Sequence, residues 1–179
     1  AQIRIGLNGG ANFSTFTTLG PTANVTFKRK FGFSVGAIAE YSLFKNLSVR
    51  LNVGYLERGT QYTIENDNTL YLNYIELSPY LIYSVINSEI IAKIIGGLSF
   101  GHLLNAKINI LGNDVNLKNS FNISNVASNF GLEIEKRILT KTSLIVTGIY
   151  SIGLKDISKI GVGQKTSDIN LKIGFLYSL

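Results

Sequence analysis

Apolar and polar residues alternate along most of this chain. Near its end Ile169, Leu171, Ile173, Phe175, Tyr177 and Leu179 interleave with Asp168, Asn170, Lys172, Gly174, Leu176 and Ser178. Earlier, Phe31, Phe33, Val35, Ala37, Ala39 and Tyr41 interleave with Gly32, Ser34, Gly36, Ile38 and Glu40. A period of two gives a strand two faces of different chemistry. Read with one phase from Ile3 to Leu179, the pattern predicts eight strands, at about residues 2–14, 31–42, 47–58, 70–84, 90–104, 125–137, 142–155 and 167–179. The links at 43–46, 85–89 and 138–141 are short, whereas those at 15–30, 59–69, 105–124 and 156–166 are long. Strands of roughly ten residues joined by alternating short and long links describe an up-and-down barrel that crosses a membrane. Within the third long link, Ala106 to Leu117 reads as a hairpin around Gly112-Asn113-Asp114.

A charge facing lipid near the midplane costs about 2–4 kcal/mol, so the charge-bearing parity is assigned to the lumen. This places Arg4, Glu40, Arg50, Glu76, Lys93, Glu133, Glu135 and Lys172 inside, with Asn8, Ser34, Asn52, Ser78, Tyr80, Ser99, Asn129, Ser143, Thr147 and Asn170. Eight strands enclose a lumen that side chains fill, so these groups are expected to form one paired polar network rather than line a pore. On the outer parity, Tyr41, Tyr83 and Tyr177 fall at the short-turn end. Phe13, Phe31, Phe33, Tyr71, Phe100 and Phe130 are expected to form the opposite aromatic girdle. The fold class predicted is therefore all-β: an eight-stranded antiparallel transmembrane barrel with a filled polar lumen, one domain over residues 1–179. Periodicity alone leaves an inverted alternative, a soluble carrier with Phe31, Phe33, Phe175 and Tyr177 around a ligand. The alternation of short and long links disfavours it.

Composition narrows the chemistry. The 179 residues contain no Cys and a single His, His102, which excludes thiolate chemistry and multi-histidine metal sites. The net charge of +6 is scattered, and its one tight cluster, Lys28-Arg29-Lys30, reads as a solvated loop end beside headgroups rather than a nucleic-acid motif. His102 follows the lipid-facing parity, with Phe100 and Leu104 rather than Ser as neighbours two residues away, so no catalytic residue is assigned. Glu133 and Glu135 are read as members of the ion network rather than as an acid and base pair. Asp67 and Asp114 lie among turn-forming Asn residues and match no calcium loop. Neither a metal nor a cofactor is expected. The chain opens at Ala1-Gln2 directly before a strand, as a mature N-terminus would.

Five segments carry a family likeness: IGLNGGAN from Ile5 to Asn12, GFSVGAIAEYSLF from Gly32 to Phe44, YIELSPYLIYS from Tyr74 to Ser84, NFGLEIEKRI from Asn129 to Ile138 and YSIGLKDI from Tyr150 to Ile157. In these the chain resembles the PorT-like outer membrane β-barrel family of Bacteroidetes. The resemblance implies an outer-membrane location with termini and short turns in the periplasm and long loops outside. Some members are tied to secretion machinery, and it transfers no active-site residue. The expected partners are outer-membrane lipid and an envelope protein, with no nucleic acid and no small-molecule substrate. An independent barrel acting through its loops is the first functional expectation, and an accessory subunit of a secretion or assembly complex the second.

Overall fold

The computed structural model describes residues 2–18, 26–63, 67–87, 89–110, 113–159 and 163–179. Eight long strands form: β1 (Ile3–Thr18), β2 (Thr26–Ser42), β3 (Leu47–Thr63), β4 (Asp67–Asn87), β5 (Ile90–Ile110), β7 (Ser124–Arg137), β8 (Thr142–Gly153) and β9 (Gln164–Ser178). A short β6 (Asn113–Asn116) and a 3-10 turn at Lys118–Ser120 lie between β5 and β7. Each long strand runs antiparallel to its neighbours, and β1 pairs with β9 from Arg4↔Ser178 to Thr18↔Gln164, which closes the barrel and removes its edges. At the short-turn end, Ser42 N–H donates to Gln2 O and Leu179 N–H to Ile3 O, tying both chain ends into the rim.

The alternation of the sequence becomes two environments. Leu7, Val35, Leu81, Leu132, Ile134, Val146, Leu171 and Phe175 are exposed on the outside, while their sequence neighbours are buried or half-buried within. An apolar outer wall around a polar interior is stable where the surroundings are hydrocarbon.

The strands outrun the predicted ones at the long-loop end, and there the inward-facing parity turns apolar. Residues 15–30 and 59–69, expected as loops, are largely strand, since β1 reaches Thr18, β2 starts at Thr26, β3 reaches Thr63 and β4 starts at Asp67. At this level Phe16, Leu70, Leu72, Tyr74, Leu103, Ala106 and Ile108 turn inward, and Phe121 and Ile157 from the connections complete a buried apolar cluster. Their outward neighbours include Thr17, Thr69, Asn73 and Lys107. Beyond the bilayer the outside is water, so burial again favours apolar residues inside, at roughly 1.5–3 kcal/mol per large side chain. In β5 a bulge helps: the register moves from Tyr74↔Leu103 to Asn73↔Asn105, so the inward parity changes from Leu103 to Ala106 and Ile108.

The third connection folds down as a cap. β6 pairs with the top of β5, from Lys107↔Asn116 to Ile110↔Asn113. The hairpin expected there forms with Asn113 and Asp114 in the strand rather than in the turn; positions 111–112 lie outside the described residues. The cap is pinned to the last connection by Asn122 N–H to Ile157 O (2.8 Å) and Lys159 N–H to Ser120 O (3.1 Å). Asp156 Oδ1 holds that connection by accepting from Ser158 N–H (3.0 Å) and Gln164 N–H (2.9 Å).

Candidate functional site in the barrel lumen

Six side chains from five strands meet in a closed ring of alternating charge low in the lumen. Arg4 contacts Glu40, Glu40 contacts Arg50 (2.6 Å), Arg50 contacts Glu133 (2.6 Å), Glu133 contacts Lys93 (3.1 Å), Lys93 contacts Glu135, and Glu135 returns to Arg4 (2.7 Å). Three cations thus face three carboxylates. The Arg50 guanidinium forks onto both Glu133 oxygens, and Thr147 Oγ1 donates to Glu133 Oε2 at 2.8 Å. Inward parity on β1, β2, β3, β5 and β7 turns these residues into the lumen, and the registers Arg4↔Glu40, Glu40↔Arg50 and Lys93↔Glu133 bring them to one level. Ions this deep are tolerable because each is paired and hydrogen-bonded; the desolvation cost of a lone one would be several kcal/mol. Ile38, Ile145 and Leu176 pack in one apolar cluster inside the barrel, and Tyr80, Ile82, Ile95 and Ile149 in another.

Glu76 and Lys172, read in the sequence as part of the same network, lie apart from this ring. Glu76 pairs with Arg58 (2.8 Å), which also holds Asp168 (2.6 Å) and lies over the Tyr74 ring at 5.3 Å. Among the described residues Lys172 makes no ion pair. Arg58 and Asp168 lie inside the predicted strands 47–58 and 167–179, Arg58 on the parity of Arg50, Asn52 and Gly54 and Asp168 on that of Asn170 and Lys172. The signal is present in the sequence, but neither residue is named in the expected network.

The Lys28-Arg29-Lys30 cluster is strand rather than loop, which corrects that expectation. Lys28 and Arg29 are exposed, whereas Lys30 is buried, pairs with Glu57 and lies 4.2 Å from the Tyr71 ring centroid. Lys30 shares the inward parity of Gly32, Ser34 and Glu40, and in this stretch β2 also slips against β3, between Arg29 and Ser34. Side chains of β1 reach the backbone this opens, with Asn12 Nδ2 donating to Glu57 O (2.8 Å) and Ser14 Oγ both accepting from Gly59 N–H (2.7 Å) and donating to Gly59 O (2.8 Å). Gly59 is required here, because a Cβ would stand 1.9 Å from Leu70 O and 2.6 Å from the Lys30 stem.

Of the aromatic residues assigned to the outer face, Tyr41, Tyr83 and Tyr177 are exposed toward the short turns, Phe31, Phe33, Tyr71, Phe100 and Phe130 are exposed on the opposite side or along the wall, and Phe13 is half-buried. Phe13 packs edge-on against Phe31 with centroids 5.6 Å apart. Lys141 stands 5.8 Å from the Tyr177 ring centroid. His102 also faces outward. Its cross-strand neighbour is Ser124, a juxtaposition the sequence did not show, but Ser124 Oγ accepts from Lys155 Nζ (2.8 Å) and no hydrogen bond joins it to His102 among the described residues. Asp114 is exposed and accepts from Asn109 Nδ2 at 2.9 Å; the side chain of Asp67 lies outside the described residues.

The fold and its charged interior define a bacterial outer-membrane barrel of eight strands. Residues 1–159 match the family described as outer membrane protein beta-barrel domain, and the chain belongs to that family. Among solved structures it is similar to OprG of Pseudomonas aeruginosa, with a TM-score of 0.61 and 14% identity over 100% of this chain and 96% of that one. Neisserial surface protein A is similar at 0.60 and 13%, over 98% and 97%. Ail, the attachment invasion locus protein of Yersinia pestis, is similar at 0.53 and 14%, over 99% and 100%. At such identities the likeness is one of fold. No curated protein matches the chain in sequence.

Proposed function

We propose that this chain is a non-enzymatic outer-membrane barrel that acts through its long-loop end, with termini and short turns in the periplasm, and that it does not serve as an open diffusion pore. The observation that carries this reading is the layered interior: a closed charge ring, a second ion cluster around Arg58 and an apolar cap stand in series between the two ends. A barrel with no through-path offers its surfaces to other molecules. The most developed surface is the cap, where β6, the 3-10 turn and the last connection are held together and present Lys118, Lys155 and Lys159. Glu133 and Glu135 are fully engaged in the ring, which leaves them no substrate to serve.

A second reading, an accessory subunit of a larger envelope complex as in the PorT-like proteins the sequence resembles, is favoured by two apolar grooves of about 700 Å³ each on the outer wall. One runs along Ala39, Leu51, Pro79 and Gly96, the other along Leu132, Val146 and Gly148. Photo-crosslinkers placed at Lys118 or Lys155, and separately at Leu98 or Leu132, test both in native envelopes. The leading reading expects protein or glycan adducts from the cap and lipid adducts alone from the wall. A single stoichiometric protein adduct from the wall supports the subunit reading, and lipid alone from every position overturns the first.

A further inference from the structure

The charge of the lumen closes only when Lys172 is counted. The ring consumes Arg4, Arg50 and Lys93 against Glu40, Glu133 and Glu135. Above it Arg58 faces two carboxylates, Glu76 and Asp168, so the second cluster carries one negative charge in excess. Lys172 supplies the missing positive charge, yet its ammonium lies beyond direct pairing distance of either carboxylate. A small cavity lies between it and Glu76, lined by Asn52, Gly54, Glu76, Ser78 and Lys172, with room for about one water molecule.

Several features mark this cavity as polar and accessible to a water-sized molecule. The Glu76 side chain retains 13% of its accessible surface and Lys172 is half-buried, although both point into a lumen closed above and below. Asn52 Oδ1 is buried without a hydrogen-bond partner, and Glu76 Oε2, though beside Arg58, makes no hydrogen bond of good geometry. Ser78 Oγ already donates to Glu76 Oε1 at 3.1 Å, which fixes that carboxylate toward the cavity. Gly54 lines the space and has no side chain to fill it.

We propose that a buried water bridges Lys172 and Glu76, making them a water-mediated ion pair. The water accepts from the Lys172 ammonium and donates to the Glu76 carboxylate. Two such bonds lie within the two to four that an internal water makes. Gly54 and Ser78 are the small residues that leave it its seat, and the arrangement neutralises the upper layer without requiring Lys172 to extend across the lumen.

A crystal structure of the full chain at a resolution that orders internal waters tests the site directly. The expected result is density within about 3.2 Å of both Lys172 Nζ and Glu76. Direct contact of Nζ with Glu76 or Asp168, or a dry cavity, overturns it. Thermal midpoints in detergent test the pairing separately. Lys172→Met and Glu76→Gln each leave one unmatched charge and lower the midpoint. The double variant Glu76→Gln/Lys172→Met restores neutrality, with Arg58 retaining Asp168, and regains most of the loss. Additive losses overturn the pairing.

Discussion

Arg50 on β3 reaches across the lumen to Glu133 on β7, meeting its two oxygens at 2.6 and 2.7 Å, and so joins two walls of the barrel that share no backbone hydrogen bond. The same guanidinium holds Glu40 at 2.6 Å. Removing Glu133 therefore leaves Arg50 and Lys93 short of a counter-charge in a closed space. Glu133→Ala is expected to destabilise the barrel by about 3–5 kcal/mol, the usual cost of stranding one member of a buried pair. Urea titration of folding into vesicles measures it, and a loss below about 1 kcal/mol would show that the ring is not holding the walls.

The apolar cap is expected to behave as a separate layer. Phe121→Ala removes a buried ring from the cluster with Leu72, Leu103 and Ile157, at about 3–5 kcal/mol if the cavity does not collapse. The loss falls on the cap rather than on the membrane-embedded walls. Limited proteolysis should cut the 113–123 segment faster while the protected barrel fragment and its heat-dependent gel shift persist.

Lipid-facing and lumen-facing positions respond oppositely to charge. Leu132 is 66% exposed on the outer wall, and Leu132→Arg is expected to cost about 2–4 kcal/mol near the midplane. Lys118→Gln, on the cap, should move folding stability by less than about 0.5 kcal/mol. Comparable effects at the two sites would contradict the placement of the bilayer.

Glycines divide by what surrounds them. A Cβ on Gly10 would stand 1.9 Å from Leu171 O, whereas one on Gly96 meets nothing within 4 Å. Gly10→Ala should impair folding yield, and Gly96→Ala should leave it unchanged. Gly96 faces outward and owes its place to no steric demand inside the sheet.

The parity of charged residues assigns Arg4, Glu40, Arg50, Lys93, Glu133 and Glu135 to the lumen, but as part of one larger network and not as a ring of six. They lie toward the short-turn ends of their strands, where outer neighbours such as Ile5, Leu51, Ile94 and Ile134 are apolar and the two faces differ most. The reading weakened toward the long-loop end for a physical reason. There both faces of β4 meet different partners from those lower down, and Leu70 and Leu72 become interior residues on the same parity as Glu76. A rule that equates the apolar face with the outside holds only within the bilayer. A bulge adds a further error, because one extra residue in β5 reassigns the side chains beyond it, and nothing in the local sequence around Leu104 announces the slip. The position of Ser124 beside His102 depends on inter-strand register, which alternation within one strand does not encode.

Single-channel recording in planar bilayers tests the central claim most directly. With a closed ion ring, the Arg58 cluster and an apolar cap in series, the purified barrel should insert without stable conductance steps, and Phe121→Ala should not create them because the ring remains. Reproducible ohmic openings of the intact chain would contradict a filled lumen and return the protein to the class of open pores.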